Sequence, residues 1–293
     1  MNHSGLRISF EFFPPKTIEG EKLLHKAVKA LSETQPDFFS VTYGAGGTTQ
    51  TGTLDVVKMI QQKAHLNVAP HLTCVGSTRD NITEIINQYK NNGVRRIVAL
   101  RGDLHPHAEH IGDLKFAYEL IALIRKLTHD TFHIEAAAYP EFHPQAENAL
   151  MDMKNFKQKI NAGANSAITQ YFFNPDSYFY FLDYCAKLGI YVPVIPGIMP
   201  ITNFTKLVRF SSLCGAEIPR WIYKRLEAYG DDELSLQSFG LEVVYDLCER
   251  LIKGGAPGLH FYTLNQAEAT LKLLKMLNLK SQLPVVKKVD IKV

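Results

Sequence analysis

Eight short apolar runs rich in β-formers recur along the chain, with stretches of helical periodicity between them. The runs are LRISFEFF, DFFSVTYG, NVAPHLTC, RRIVALRG, HIEAAAYP, SAITQYFF, YVPVIPGI and GLHFYTL. The stretches between include EKLLHKAVKALSE, TLDVVKMIQQKA, TEIINQYKNN, LKFAYELIALIRKL, ALMDMKNFKQKINA and YFYFLDYCAKLG. Strand and helix alternating in this way demand parallel strands, because each helix carries the chain back to the start of the next strand. A length of 293 residues at 46% hydrophobic suits either one large domain or two ordinary ones. The count of eight, with strands apolar enough to be covered on both faces, selects a closed α/β (β/α)8 barrel, the TIM barrel, as a single domain. The interval from Asn203 to Pro257 holds more helix than one crossover needs, so an extra helix is predicted between the seventh and eighth strands. Residues 1–278 are expected to form the barrel and 279–293, ending LPVVKKVDIKV, a loosely held tail.

Charge and cysteine usage exclude several classes of function. The net charge of +3 comes from 32 basic and 29 acidic residues scattered along the chain, with no basic run to track a phosphate backbone, so nucleic acid is not an expected partner. Four cysteines stand far apart without a CxxC pair, which suits a reducing cytoplasm and suggests neither a disulfide framework nor a zinc knuckle. No signal peptide opens the chain and no apolar run approaches a membrane span, so a soluble, cytoplasmic protein is expected. The tract HPHAEH, with His105, His107 and His110, lacks the spacing of recognised metal sites, and no metal is expected. The glycine-rich YGAGGTT matches neither the Walker nor the GxGxxG pattern.

Barrel enzymes place their chemistry at the carboxyl ends of the strands, and polar residues gather there. They are Glu11, Thr42 with Tyr43, His71, Arg101 with Asp103, Tyr139 with Glu141, Gln170, the backbone from Pro196 to Met199, and Tyr262 with Asn265. Glu11 is the sharpest of these: among Phe10, Phe12 and Phe13 a carboxylate would be desolvated and its pKa raised toward the range of a general acid. The competing reading pairs it with Arg7, Arg101 or another base. Asp152, Asn155 and Lys159 fall at i, i+3 and i+7 of a predicted helix, one polar stripe that either holds a ribose and phosphates or is a solvated face.

Taken in order and spacing, SFEFFPPK, SVTYGAGG, APHLTC, RRIVALRGD, AAYPEFHP, AGANSAITQYFF, VIPGIMPITNF and HFYTLN resemble the methylenetetrahydrofolate reductase family of the short bacterial type, over Ser9 to Leu277. The resemblance implies a barrel carrying FAD on its carboxyl face. Its reaction would be the reduction of 5,10-methylenetetrahydrofolate to 5-methyltetrahydrofolate by NADH or NADPH, ping-pong through the flavin, feeding methionine synthesis. It assigns Glu11 as proton donor to the folate and Asp103 as the carboxylate beside flavin and pterin. Cofactor contacts fall on Thr42, His71, Arg101, Gly102, Asp103, Tyr139, His143, Asp152, Asn155 and Lys159, and substrate contacts on Gln170, Phe210 and Tyr262. A homo-oligomer is implied. The chain departs from the family pattern at Lys206, Gln158 and Gln266, which puts those contacts in doubt. Rival readings are another FAD-dependent barrel of the proline-dehydrogenase kind, and a catalytically silent barrel acting as a binding protein.

Overall fold

The computed structural model describes residues 5–43, 50–64, 66–103 and 112–279. Eight strands close into a barrel in sequence order, β1 (Arg7–Phe12), β2 (Phe38–Val41), β3 (Val68–Thr73), β4 (Arg96–Leu100), β5 (His133–Ala138), β6 (Ser166–Tyr171), β7 (Val194–Ile198) and β8 (Gly258–Tyr262). Every neighbouring pair is parallel, and β1 pairs β8 to close the ring. Around it run α1 (Ile18–Ser32), α2 (Gln50–Ala64), α3 (Arg79–Asn91), α4 (Ala117–Thr128), α5 (Ala149–Asn161) and α6 (Pro175–Lys187). Where one extra helix is expected between β7 and β8 there are two beyond the single crossover helix, the three being α7 (Phe204–Cys214), α8 (Arg220–Tyr229) and α9 (Glu233–Lys253), and α10 (Glu268–Met276) follows β8. The tail from residue 280, the HPHAEH histidines and residues 44–49 of YGAGGTT lie outside the described residues. Among the described residues no helix is long and apolar enough to cross a membrane.

Strand alternation sorts the sequence into two compartments. On β1, Phe10 and Phe12 face outward and join Leu24, Ala27, Val28 and Leu31 of α1 in the main core. Phe10 also packs on Phe39 and Phe261 from the flanking strands, with ring centroids 5.9 Å away in each case. Burying each such ring contributes about 2 to 3 kcal/mol. The helices are started by matching local chemistry. Thr17 caps α1 by accepting from Gly20 N at 3.0 Å, and Asn148 and Asn203 cap α5 and α7 in the same way.

The opposite set of side chains fills the lumen. Phe38, Ala69, Val98 and Ile168 form a small apolar plug separate from the main core. Beneath it lies a charged floor: Arg96 donates to Glu135 at 2.5 Å, Ser166 donates to Glu135 at 2.6 Å, and the Arg96 guanidinium stacks over Phe38 at 4.3 Å. Glu135 is fully buried, yet His133, Arg96 and Ser166 more than offset the burial that pushes it up, and its carboxyl stays below the ordinary range. Above the plug the lumen turns polar, and that end opens to the mouth.

Candidate active site

The mouth is a cavity of about 330 Å³ lined by Glu11, Asp103, Tyr139, His143, Gln170, Phe210 and Tyr262, with Tyr171, Met199 and Cys214 among the further walls. Strands β1, β6 and β8, the turns after β4 and β5, and helix α7 therefore bring seven of the sequence-predicted residues to one place. His71, Thr42, Arg101 and Gly102 stand at its margin, on or just beyond the ends of β2, β3 and β4.

Glu11 does not sit among the phenylalanines that precede and follow it. Residues one apart on a strand point to opposite faces, so Phe10 and Phe12 cover the outside while Glu11 enters the lumen. There its Oε2 lies 3.3 Å from His71 Nε2 and 3.6 Å from His260 Nε2. His260 is fully buried and is fixed from below by Ser9 Oγ, 2.7 Å from its Nδ1, and by Ser40 Oγ, 3.5 Å from its Nε2. Burial pushes the Glu11 carboxyl up, but the two imidazoles outweigh it, and the pKa falls from 4.5 to about 2. The expected neutral acid in an apolar pocket is therefore corrected to an ionised carboxylate held by imidazoles; the ion-pair alternative holds, with histidines in place of arginines. The Glu11 carboxylate is the one partner of His71 Nε2 among the described residues, at a length beyond a short hydrogen bond.

Phe13 and the Pro14–Pro15 exit from β1 are pinned by Asn265, whose Oδ1 accepts from Phe13 N at 3.0 Å and whose Nδ2 donates to Phe13 O at 2.9 Å. Thr263 adds a bond of 2.6 Å to Glu11 O. The loop after β8 thus completes the strand pairing that proline interrupts.

Gln170 shares the inward parity of Ser166 and Ile168, so strand alternation aims it at the mouth, beside an irregularity. The β6–β7 register shifts between Ile168 and Tyr171, leaving Thr169 and Gln170 outside the regular ladder. Thr169 is satisfied differently: its hydroxyl accepts from Gly197 N at 2.9 Å and its carbonyl accepts from Tyr262 OH at 2.7 Å. Glycine is required at 197, because a Cβ there would strike the Thr169 carbonyl and stand 2.6 Å from the Tyr262 ring. Thr169, the residue before Gln170, thereby ties β6 to both β7 and β8.

Across the mouth, Arg101 donates from Nε to Gly102 O at 3.2 Å and reaches Gln145 Oε1 through its terminal nitrogen, tying the turn after β4 to the turn after β5. Gly102 has φ +84, and a Cβ there would lie 2.9 Å from Thr73 Cβ, so only glycine places Asp103 beside Tyr139 and His143. Those two rings pack edge to face at 4.5 Å. The stripe on α5 is not a solvated face: Asp152 and Lys159 are buried. Asp152 accepts from His143 N at 2.9 Å, and Lys159 donates to Ala137 O at 2.5 Å. Burial lowers the Lys159 ammonium to about 8 against the opposing pull of Asp152. Asn155 lies half-buried between them.

His260, Ser9, Ser40 and Gln145 escaped the sequence reading. The first three lie one inward position below the strand ends that were searched, and His260 shares the parity of Tyr262, a signal that was there to use. Lys206 is exposed, and its backbone N meets the Asn203 cap; neither it nor Gln266 lines the cavity.

A parallel barrel whose carboxyl mouth gathers acids, imidazoles, an amide and aromatic walls defines an enzyme of the TIM-barrel class. Residues 1–278 match the family model described as methylenetetrahydrofolate reductase, and the chain belongs to that family. It is 41% identical over 275 residues to the 5,10-methylenetetrahydrofolate reductase of Salmonella typhimurium, covering 94% of this chain and 92% of the relative. A probable methylenetetrahydrofolate reductase (NADH) of Oryza sativa is 35% identical over 92% of this chain and 48% of its own length. Among solved structures, an uncharacterised Clostridium thermocellum protein that binds two copies of 5-methyl-5,6,7,8-tetrahydrofolic acid superposes with TM-score 0.66 at 19% identity, covering 94% of this chain and 96% of that one, a likeness of fold. The chain is therefore an oxidoreductase of one-carbon folate chemistry.

Proposed function

We propose that this barrel binds FAD at its mouth and reduces 5,10-methylenetetrahydrofolate to 5-methyltetrahydrofolate with NADH or NADPH, in two half-reactions that share one site. The observation that carries the reading is the convergence of Glu11, Asp103 and Gln170 on one aromatic-walled cavity in a chain of this family. The name of the rice relative supports NADH as a donor. The residues present fit a flavin: the Tyr139 and His143 rings give flat walls, Arg101 and Lys159 supply positive charge near the same end of the barrel, and the His71 ring stands at the margin with its Nε2 held only by the 3.3 Å contact to Glu11. In this reading Thr42, His71, Arg101, Gly102, Asp103, Tyr139 and His143 hold the ring and its chain. Asp152, Asn155 and Lys159 support the ribose and phosphate side. When bound, a flavin would supply the two-electron chemistry that links the nicotinamide to the folate methylene carbon.

The protein's own contribution is binding, charge and a proton. Asp103, exposed at the rim, puts a carboxylate beside the cationic iminium that forms when the folate ring opens. Gln170 offers its amide to the pterin, with Oε1 also accepting from Tyr171 N at 3.0 Å, and Phe210 and Tyr262 pack against the substrate. Glu11 delivers the proton to the leaving nitrogen as a member of a carboxylate–imidazole cluster, with His71 and His260 Nε2 at 3.3 and 3.6 Å from its Oε2. Glu11→Gln tests this. NADH should still bleach the flavin at near its normal rate, while methylenetetrahydrofolate should reoxidise it about 10² to 10⁴ times more slowly. Equal loss in both half-reactions would remove the acid role.

A further inference from the structure

Glu141 stands in the turn after β5, between the wall residues Tyr139 and His143, but its carboxyl is not part of the cavity lining. It reaches sideways to the far wall instead. Its Oε2 accepts from Glu217 N at 2.8 Å, in the connection between α7 and α8, while its Oε1 is buried with no hydrogen-bond partner. The two segments touch again nearby, where Gly215, the left-handed cap of α7 at φ +76, leaves room for Pro144, 3.1 Å from the position of a Cβ. Helix α7 carries Phe210, Leu213 and Cys214 into the mouth, so the Glu141 bond spans the cofactor-side and substrate-side walls of the proposed site.

The groups around this carboxyl are acidic or neutral. From the α7–α8 connection comes Glu217, and from β6 comes Tyr171, whose hydroxyl bonds Ser211 of α7 at 3.0 Å and neighbours Cys214. Among the described residues no base pairs with Glu141. A buried carboxylate oxygen without a partner is costly when charged and tolerable when it carries a proton. Burial, with Glu217 adding repulsion, raises the group from 4.5 to about 7, against the bond from Glu217 N.

We propose that Glu141 is a positioning residue that acts as a neutral carboxylic acid, clamping the end of α7 to the Tyr139–Gln145 turn, and that its ionisation loosens the clamp. Where it concerns folate, the proposal rests on the function above; the clamp itself does not.

The primary test is therefore hydrogen exchange at the Glu217 amide, corrected for intrinsic rates, in the full-length protein at pH 6 and pH 8.5. In the wild type, protection should fall about tenfold across that interval, as expected for an acid that titrates near 7 when clamped and near 4.5 when released. Glu141→Gln, an isostere of the neutral acid, should keep high protection at both pH values, and Glu141→Leu should lose it at both. A wild type and Glu141→Gln with the same pH dependence, or a Glu141→Leu variant still protected, would overturn the proposal. If a variant fails to fold, carboxyl-carbon NMR of the wild type decides: a Glu141 titration in the ordinary range near 4.5 refutes the clamp. With the enzyme loaded, the folate KM should rise with pH in the wild type and stay level in Glu141→Gln, with flavin reduction by NADH unaffected. If exchange behaves as expected and the folate KM does not, the clamp stands and the functional reading falls.

Discussion

The Glu11 carboxyl, held at about 2 instead of 4.5, ties stability to pH in a way that can be isolated. Because the folded pKa is depressed, the stabilisation is fully present above the unfolded value of 4.5 and is lost as pH falls through about 2. A shift of this size corresponds to about 3 kcal/mol at pH 7, and linkage leaves about 1 kcal/mol at pH 3. Its side chain is only 17% exposed, so solvent screening takes little from that figure. Glutamine at position 11 cannot titrate. Between pH 7 and pH 3 the wild type should thus lose about 2 kcal/mol more stability than Glu11→Gln. The comparison matters because Glu135 on the floor is also depressed and drives acid unfolding in both proteins alike, so it cancels in the difference. Guanidinium unfolding at several pH values, followed by fluorescence and circular dichroism together to check that the transitions coincide, gives the two curves. Parallel curves would show that Glu11 titrates in its ordinary range. His71 and His260 would then not hold it ionised, and the carboxylate–imidazole cluster would lose its electrostatic basis.

Other perturbations separate the parts of the site. Thr169→Val keeps the shape but deprives Gly197 N of its acceptor, so it should cost about 1 to 3 kcal/mol and raise the folate KM by freeing Gln170, with flavin reduction by NADH unchanged; half-reaction kinetics check both. Gly102→Ala forces a side chain to φ +84 against Thr73, costing about 1 to 3 kcal/mol, and flavin should be retained poorly on gel filtration at a given FAD concentration. Arg96→Met leaves Glu135 buried without its arginine and should destabilise by about 3 to 5 kcal/mol, while the specific activity of the folded fraction stays level, because the apolar plug separates the floor from the mouth.

The barrel was legible in the sequence because its signal is redundant. Eight apolar runs and the helices between them each repeat the same statement, and Gly or Pro at their ends marks where they stop. The strand-end residues were legible for a related reason: the carboxyl end of a parallel strand in this fold has one place to point. What the sequence hid was the partner. Glu11 was read against Phe10 and Phe12, its neighbours in sequence, although on a strand those are the residues it cannot touch on its own face. Its true neighbours, His71 and His260, stand 60 and 249 residues away and are brought to it by barrel closure, with Glu11 level with Tyr262 in the β1–β8 register. The polarity of α5 stayed open for the same reason, since a stripe of Asp152, Asn155 and Lys159 reads identically whether it faces water or the backbone at the end of β5.

The floor and the mouth show what the fold does with identical chemistry. Both hold a glutamate whose carboxyl is depressed by basic neighbours, fully buried at the floor and 17% exposed at the mouth. At the floor, Glu135 is bonded by Arg96 and Ser166 at 2.5 and 2.6 Å, so both oxygens are committed and no capacity remains for a ligand. At the mouth, Glu11 meets its imidazoles at 3.3 and 3.6 Å, distances at which charge is felt but no short hydrogen bond is closed. A group that must exchange a proton with a substrate needs that slack, because a fully satisfied carboxylate would have to break a strong bond first. The distinction between a structural and a chemical carboxylate in this barrel therefore lies in bond lengths, together with the 17% exposure that opens Glu11 to the mouth while Glu135 has none.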